Sequence, residues 1–128
     1  MAKKVLLVDD LLFDVLLTRR AIEDCHVEHE IVVVSDGAEA LRLLGSQKFD
    51  LVVLDIKMPR VDGFEVLKHI QNTPSLSQIP VVIVSGSQLE ADRVRAEMLG
   101  ASAYVHKSVD YSDFQQSLKL TLSLHGYC

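Results

Sequence analysis

At 128 residues the chain has the size of one domain with one hydrophobic core, and an apolar content of 48% excludes a disordered segment. A formal net charge of −5 argues against a nucleic-acid surface, which would carry a basic stripe. No apolar run reaches the length of a membrane span, and Met1-Ala2-Lys3-Lys4 leads straight into Val5 without a signal-peptide core, so a cytoplasmic protein with no membrane partner is expected.

In chain order, Val5 to Val8 is a continuous apolar run, the pattern of a strand buried on both faces of a parallel sheet. The next segment is predicted helical and is apolar on more than one side. Phe13, Leu17 and Ala21 form a stripe wide enough to cover a sheet. Leu12, Val15 and Leu16 fall outside it, either as a wider buried face or, with Leu11, as a docking patch for a partner helix. Cys25 and Cys128 have neither framework nor metal spacing, so both are expected as reduced thiols. His26-x-x-His29 lacks a third ligand at useful spacing and reads as solvated surface.

Ile31 to Val34 is the second strand, and Asp36 with Glu39 three residues on starts the second helix. Leu51 to Leu54 is the third strand, followed by the same cap signature at Asp62 and Glu65. Pro74 and Pro80 bracket a loop before the fourth strand, Val81 to Val84. Ser87-Gln88-Leu89-Glu90 has the form of a capping box, with Gly100 placed to close that helix. Ala103-Tyr104-Val105-His106 is a weaker fifth strand. Asp110 caps a last helix along which Phe114, Leu118 and Leu122 share one face. Five strand–helix alternations imply an α/β fold, a three-layer sandwich with right-handed crossovers.

Sites in open parallel sheets form beyond the carboxyl ends of the strands. Val8 is followed by Asp9-Asp10, Leu54 by Asp55, Val84 by Ser85, and the fifth strand ends near Lys107. In a parallel sheet these groups leave one edge. Carboxylates on neighbouring strand ends, roughly 4.8 Å apart, repel one another, and a hard cation with oxygen ligands relieves that repulsion. Mg²⁺ and the Lys107 ammonium together suit an incoming phosphoryl group, for which a carboxylate is a competent covalent acceptor.

Asp9-Asp10, Asp55, Met58-Pro59-x-x-Asp62-Gly63, Ser85-Gly86 and Tyr104-x-x-Lys107, in this order and spacing, resemble the receiver domain of two-component response regulators over nearly the whole chain. The resemblance implies one receiver domain over residues 1–128, with a flavodoxin-like five-stranded parallel sheet in the order 2-1-3-4-5. It implies that Asp55 is the phosphoacceptor and that Asp9, Asp10, Asp55 and the backbone carbonyl of Lys57 hold Mg²⁺. Ser85 and Lys107 would then bind the phosphoryl group, with Tyr104 as the aromatic that follows Ser85. The donor would be a phosphohistidine on a sensor histidine kinase or phosphotransfer protein, and the output a downstream protein or a homodimer through the last two helices. Lys57 and Ser87, each two residues past a site residue, are candidates for tuning water access to an acyl phosphate, beside a plain reading as polar loop residues. Two positions depart from the pattern: Ser108 stands where proline usually follows the lysine, and Leu11-Leu12 follow the acidic pair.

Two other classes share parts of this pattern. A phosphatase of the haloacid dehalogenase type also forms an aspartyl phosphate but needs a second Asp two residues after the first, where this chain has Leu11. A pseudo-receiver binds partners without phosphorylation, against which the intact set of Asp9, Asp10, Asp55, Ser85 and Lys107 speaks.

Overall fold

The computed structural model describes residues 2–58 and 60–128. Ten elements alternate along the chain: β1 (Lys3–Val8), α1 (Leu12–Glu23), β2 (His29–Val34), α2 (Gly37–Ser46), β3 (Leu51–Leu54), α3 (Gly63–Asn72), β4 (Val81–Ser85), α4 (Glu90–Met98), β5 (Ala103–His106) and α5 (Tyr111–Leu124). The strands form one parallel sheet in the order β2-β1-β3-β4-β5, as the family resemblance implies.

Both faces of this sheet are covered, which is why its central strands carry continuous apolar runs, Val5–Val8, Leu51–Leu54 and Val81–Val84. Side chains alternate between the faces with period two. Leu6, Val8, Val52, Leu54, Val81 and Ile83 pack with α2, α3 and Ala96 of α4. Val5, Leu7, Leu51, Val53, Val82 and Val84 pack with α1 and α5 through Val15, Ala21, Ile22, Phe114, Leu118 and Leu122. Each fully buried Leu, Ile or Val adds about 1.5–3 kcal/mol relative to an exposed one, so these two layers hold the strand ends in fixed register.

Helix starts follow the cap chemistry at three of the five sites. Asp36, Asp62 and Asp110 accept hydrogen bonds from the backbone N–H of Glu39, Glu65 and Asp113. Gly100 closes the fourth helix in the left-handed region, at φ +94°. The capping box expected at Ser87 is not formed. Helix α4 begins at Glu90 after Leu89, with no side-chain cap, and the Ser87 hydroxyl instead accepts from the Leu89 N–H and donates to Asp92 at 2.6 Å. The Glu90 carboxylate is engaged by Arg93 rather than by the backbone upstream.

The expected face of α1 is also corrected. Val15, Thr18, Ala21 and Ile22 are its buried residues, whereas Phe13 is 71% exposed and stands among Leu11, Leu12 and Leu16 on the outside. Val15 is therefore core and leaves the docking patch. Packing between β1–β2 and α5 chose one of two apolar stripes on a helix that offers both.

A third correction concerns the cysteines. Cys25, just past α1, and Cys128 form a disulfide, with their Cα atoms 4.8 Å apart. The tail is fastened at two more points: the Tyr127 hydroxyl donates to the Asp50 carbonyl at 2.7 Å, and the His29 ring lies 2.8 Å from the Tyr127 carbonyl oxygen. These contacts gather the end of the chain at the amino-terminal edge of the sheet, opposite the strand ends that carry Asp9 and Asp55.

Candidate functional site

Register builds the site. Val8 pairs with Leu54, so the next residue on each strand, Asp9 and Asp55, emerges at the same height, and the Asp55 N–H donates to the Val8 carbonyl at 2.9 Å. Ser85 pairs with His106, and the Lys107 N–H donates to the Ser85 carbonyl at 2.7 Å, which sets Lys107 at the end of β5 beside β4. Carboxylate oxygens of Asp9, Asp10 and Asp55 lie within 4.8 Å of one another. Asp9 and Asp55 are buried and Asp10 is exposed, so the cluster opens to solvent on one side.

Each buried carboxylate is held by named donors. Asp9 accepts from the Leu11 N–H through Oδ1 at 3.0 Å and from Lys107 Nζ through Oδ2 at 2.7 Å. Asp55 accepts from the Lys57 N–H through Oδ1 at 3.2 Å and from Lys107 Nζ through Oδ2 at 3.4 Å. Burial pushes the Asp55 carboxyl upward, the Lys107 ammonium pulls it back and the Asp9 charge pushes it up again, leaving it at about 6. The pKa of Lys107 is raised as well, against the effect of its burial. Burial alone would lower its pKa, but the hydrogen bond to Asp9 and the charges of Asp55 and Asp9 outweigh burial and raise it.

Ser85 is fully buried, and its Oγ accepts from the Ser87 N–H at 3.1 Å. Tyr104, half-buried, donates from its hydroxyl to the Ser87 carbonyl at 3.1 Å. Lys57 and Ser87 meet at Asp92 in the first turn of α4, with Lys57 Nζ 3.8 Å from the same Oδ2 that Ser87 engages. The loop between β3 and α3 is closed by the Gly63 N–H donating to the Ile56 carbonyl at 3.2 Å. A Cβ at Gly63 would overlap the Asp55 carbonyl oxygen, so glycine permits this approach. The Lys107–Ser108 peptide is trans, since no cis peptide occurs among the described residues. Of the Met58-Pro59 motif, Pro59 lies outside the described residues.

The sequence alone does not single out two residues of the site. Asp92 is one. Asp14 is the other: its Oδ2 accepts from Lys107 Nζ at 3.0 Å, so the ammonium has three carboxylate partners. An acid in the first turn of a helix is common for its favourable interaction with the helix dipole, and nothing in its spacing distinguishes Asp14 from that role. Beside the cluster, and reaching Asp55 and Lys107, lies an open groove of about 800 Å³ whose apolar lining is Leu11, Phe13, Leu17, Leu89, Val109 and Tyr111.

This donor set fits a hard divalent cation: carboxylate oxygens with one solvent-facing side and an ammonium alongside. Among the described residues no helix is long and apolar enough to cross a membrane.

Comparison with known proteins agrees with this architecture. The family model described as the response regulator receiver domain matches residues 5–119. The response regulator Rcp1 of Synechocystis sp. is 32% identical over 87% of this chain and 80% of its own length. A crystal structure of the Mn²⁺-bound form of Rcp1 covers 96% of this chain and 94% of its own, with a TM-score of 0.88 at 30% identity. The phosphorylated cyanobacterial phytochrome response regulator RcpA superposes with the same TM-score, at 35% identity over 97% of this chain and 94% of its own. The polar-differentiation response regulator DivK of Brucella anthropi is 32% identical over 93% of this chain and 95% of its own length. With the family model spanning most of the sequence and relatives matched nearly end to end, the chain belongs to the response regulator receiver domain family, whose members are signalling switches rather than classical enzymes.

Proposed function

We propose that this chain is the phosphoacceptor switch of a two-component phosphorelay, with Asp55 as the acceptor. The observation that carries the reading is the state of Asp55: a buried carboxylate with a raised pKa, within reach of both an acidic pair and an ammonium group. Such a carboxylate is destabilised when ionised, and conversion to an acyl phosphate moves the negative charge outward onto phosphoryl oxygens, where a cation would share it.

In this reading an Asp55 carboxylate oxygen attacks the phosphorus of a phosphohistidine on a sensor kinase or phosphotransfer protein. The P–N bond breaks and the imidazole leaves as the neutral base after taking up a proton. Hydrolysis reverses the outcome when water attacks phosphorus and the Asp55 carboxylate departs. Asp9, Asp10, Asp55 and the Lys57 carbonyl would hold Mg²⁺, which would supply positive charge to the phosphoryl oxygens. Lys107 pairs with one oxygen, and the Ser85 hydroxyl donates to another after giving up the Ser87 N–H. Tyr104 is tied to the Ser87 carbonyl, so movement of the Ser85–Ser87 segment frees or re-aims its ring and reshapes the face formed by α4 and α5, where Met98, Leu120 and Leu124 are exposed. That face is the surface for a downstream partner or a second copy. Lys57 and Ser87, fixed together by Asp92, set the access of water to the acyl phosphate. Leu11, Leu12 and Leu16, exposed beside the site, receive the donor protein. A cytoplasmic location accords with such donors.

Beryllofluoride, a phosphoryl mimic, tests the reading. With Mg²⁺ the unmodified chain is expected to bind it, and Asp55→Asn to lose that binding. An unmodified chain that binds none would turn the assignment towards a pseudo-receiver.

A further inference from the structure

Lys107 Nζ has three protons and three carboxylate partners: Asp9 at 2.7 Å, Asp14 at 3.0 Å and Asp55 at 3.4 Å. On the phosphoacceptor reading, two of the three have another task, since Asp9 would be among the residues that hold the cation and Asp55 would carry the phosphoryl group. Asp14 alone neither binds the cation nor reacts. It projects from the first turn of α1, which is anchored to the sheet by Val15 and to α5 by packing of the same face. Its side chain is a quarter exposed and that of Lys107 about an eighth, so the pair is partly shielded and is not a loose surface contact.

We infer that Asp14 is a positioning residue that keeps the Lys107 ammonium aimed at the phosphoryl site when Asp9 and Asp55 are otherwise engaged. This rests on the phosphoacceptor reading above. Lys107 is followed by Ser108, without the ring constraint of the proline expected there, so its aim comes from what its side chain touches. Asp14, on α1, is the one of the three partners to which the reading gives no other task. The pocket between Asp14, Leu17, Thr18, Lys107, Ser108 and Phe114 holds only about 30 Å³, which leaves the ammonium little room to swing away on that side.

The sign of the effect separates positioning from simple charge. A bystander carboxylate near a bound anion repels it, so removing Asp14 would tighten anion binding. A carboxylate that aims Lys107 does the reverse. Beryllofluoride titrations in Mg²⁺ are therefore expected to show Asp14→Ala weakened by at least about fivefold, the scale of one charge-assisted hydrogen bond in a partly shielded pair, with Asp14→Asn intermediate. Affinity for Mg²⁺ alone and the melting temperature should stay close to those of the unmodified chain. In a Lys107→Ala background the Asp14→Ala loss should vanish, because the residue acts through the lysine.

Unchanged or tighter beryllofluoride binding in Asp14→Ala overturns the inference, as does a loss that persists without Lys107 or that appears equally for Mg²⁺ alone. Failure of the unmodified chain to bind beryllofluoride at all is a different result: it removes the phosphoacceptor reading and this inference with it.

Discussion

Asp55 is the residue at which burial and charge are most at odds. An unfolded chain gives up this proton near pH 4, whereas the folded protein holds it to about pH 6. Between those values the folded state binds the extra proton, so stability falls as pH rises through the window and the penalty is complete above it. A window about two pH units wide corresponds to at most about 3 kcal/mol. Asp55→Asn, which cannot ionise, is expected to be more stable than the unmodified chain by about 1–3 kcal/mol at pH 7 in EDTA, with the gap closing towards pH 4. Urea unfolding at a series of pH values reads it, and a gap that does not vary with pH would contradict a proton held by burial. The acidic cluster is less bare than its sequence implies, because Lys107 already serves it as a resident counter-ion. Asp9, Asp10, Asp55, Ser85 and Lys107 were legible because each follows an apolar run. Asp14 and Asp92 were not, because an acid in the first turn of a helix looks the same whether it faces solvent or a lysine ninety-three residues away.

Elements were legible where a local cause decides them. Continuous Val- and Ile-rich runs marked four strands, the weaker Ala103–His106 pattern marked the fifth, and Asp36, Asp62 and Asp110 cap their helices as expected. Legibility failed where tertiary contacts decide. Helix α1 carries two apolar stripes, and only its neighbours α5 and β1–β2 select Val15, Thr18, Ala21 and Ile22 for burial. At Ser87 the hydroxyl engages the Asp92 side chain rather than the backbone N–H groups of the first turn of α4, so the capping box yields to a tie between the β4–α4 loop and α4. The junction of β3 and α3 is sterically demanding beside the acidic cluster. Gly63→Ala is expected to cost about 1–3 kcal/mol from forced displacement of the Asp55 peptide. It should also weaken beryllofluoride binding, whereas Gly45→Ala, with open space around it, should do neither. Equal stability of the two variants in thermal melts would contradict that placement.

On the scale of the whole molecule, two ends of one sheet are specialised differently. The carboxyl edge collects the charges, and the amino edge collects the tail through the disulfide, Tyr127 and His29. Pairing of Cys25 with Cys128 had no sequence signal, because 103 residues separate them and only the folded path of α1 and α5 brings them together. A bridge across so long a loop removes much freedom from the unfolded chain, and its reduction is expected to cost about 2–4 kcal/mol. Urea midpoints with and without a thiol reductant measure this. Cys25→Ser should abolish the response to reductant, and a midpoint indifferent to reductant in the unmodified chain would disprove the linkage. In a compartment kept reducing, the tail keeps the Tyr127 contacts but loses the covalent tie. At the opposite edge, the Gly63 amide donates to the Ile56 carbonyl, one residue past Asp55. Its hydrogen–deuterium exchange rate is thus a built-in gauge of that turn, and on the phosphoacceptor reading proposed above a mass spectrometer following the single peptide across it is expected to register beryllofluoride binding without a dye, an antibody or a radiolabel.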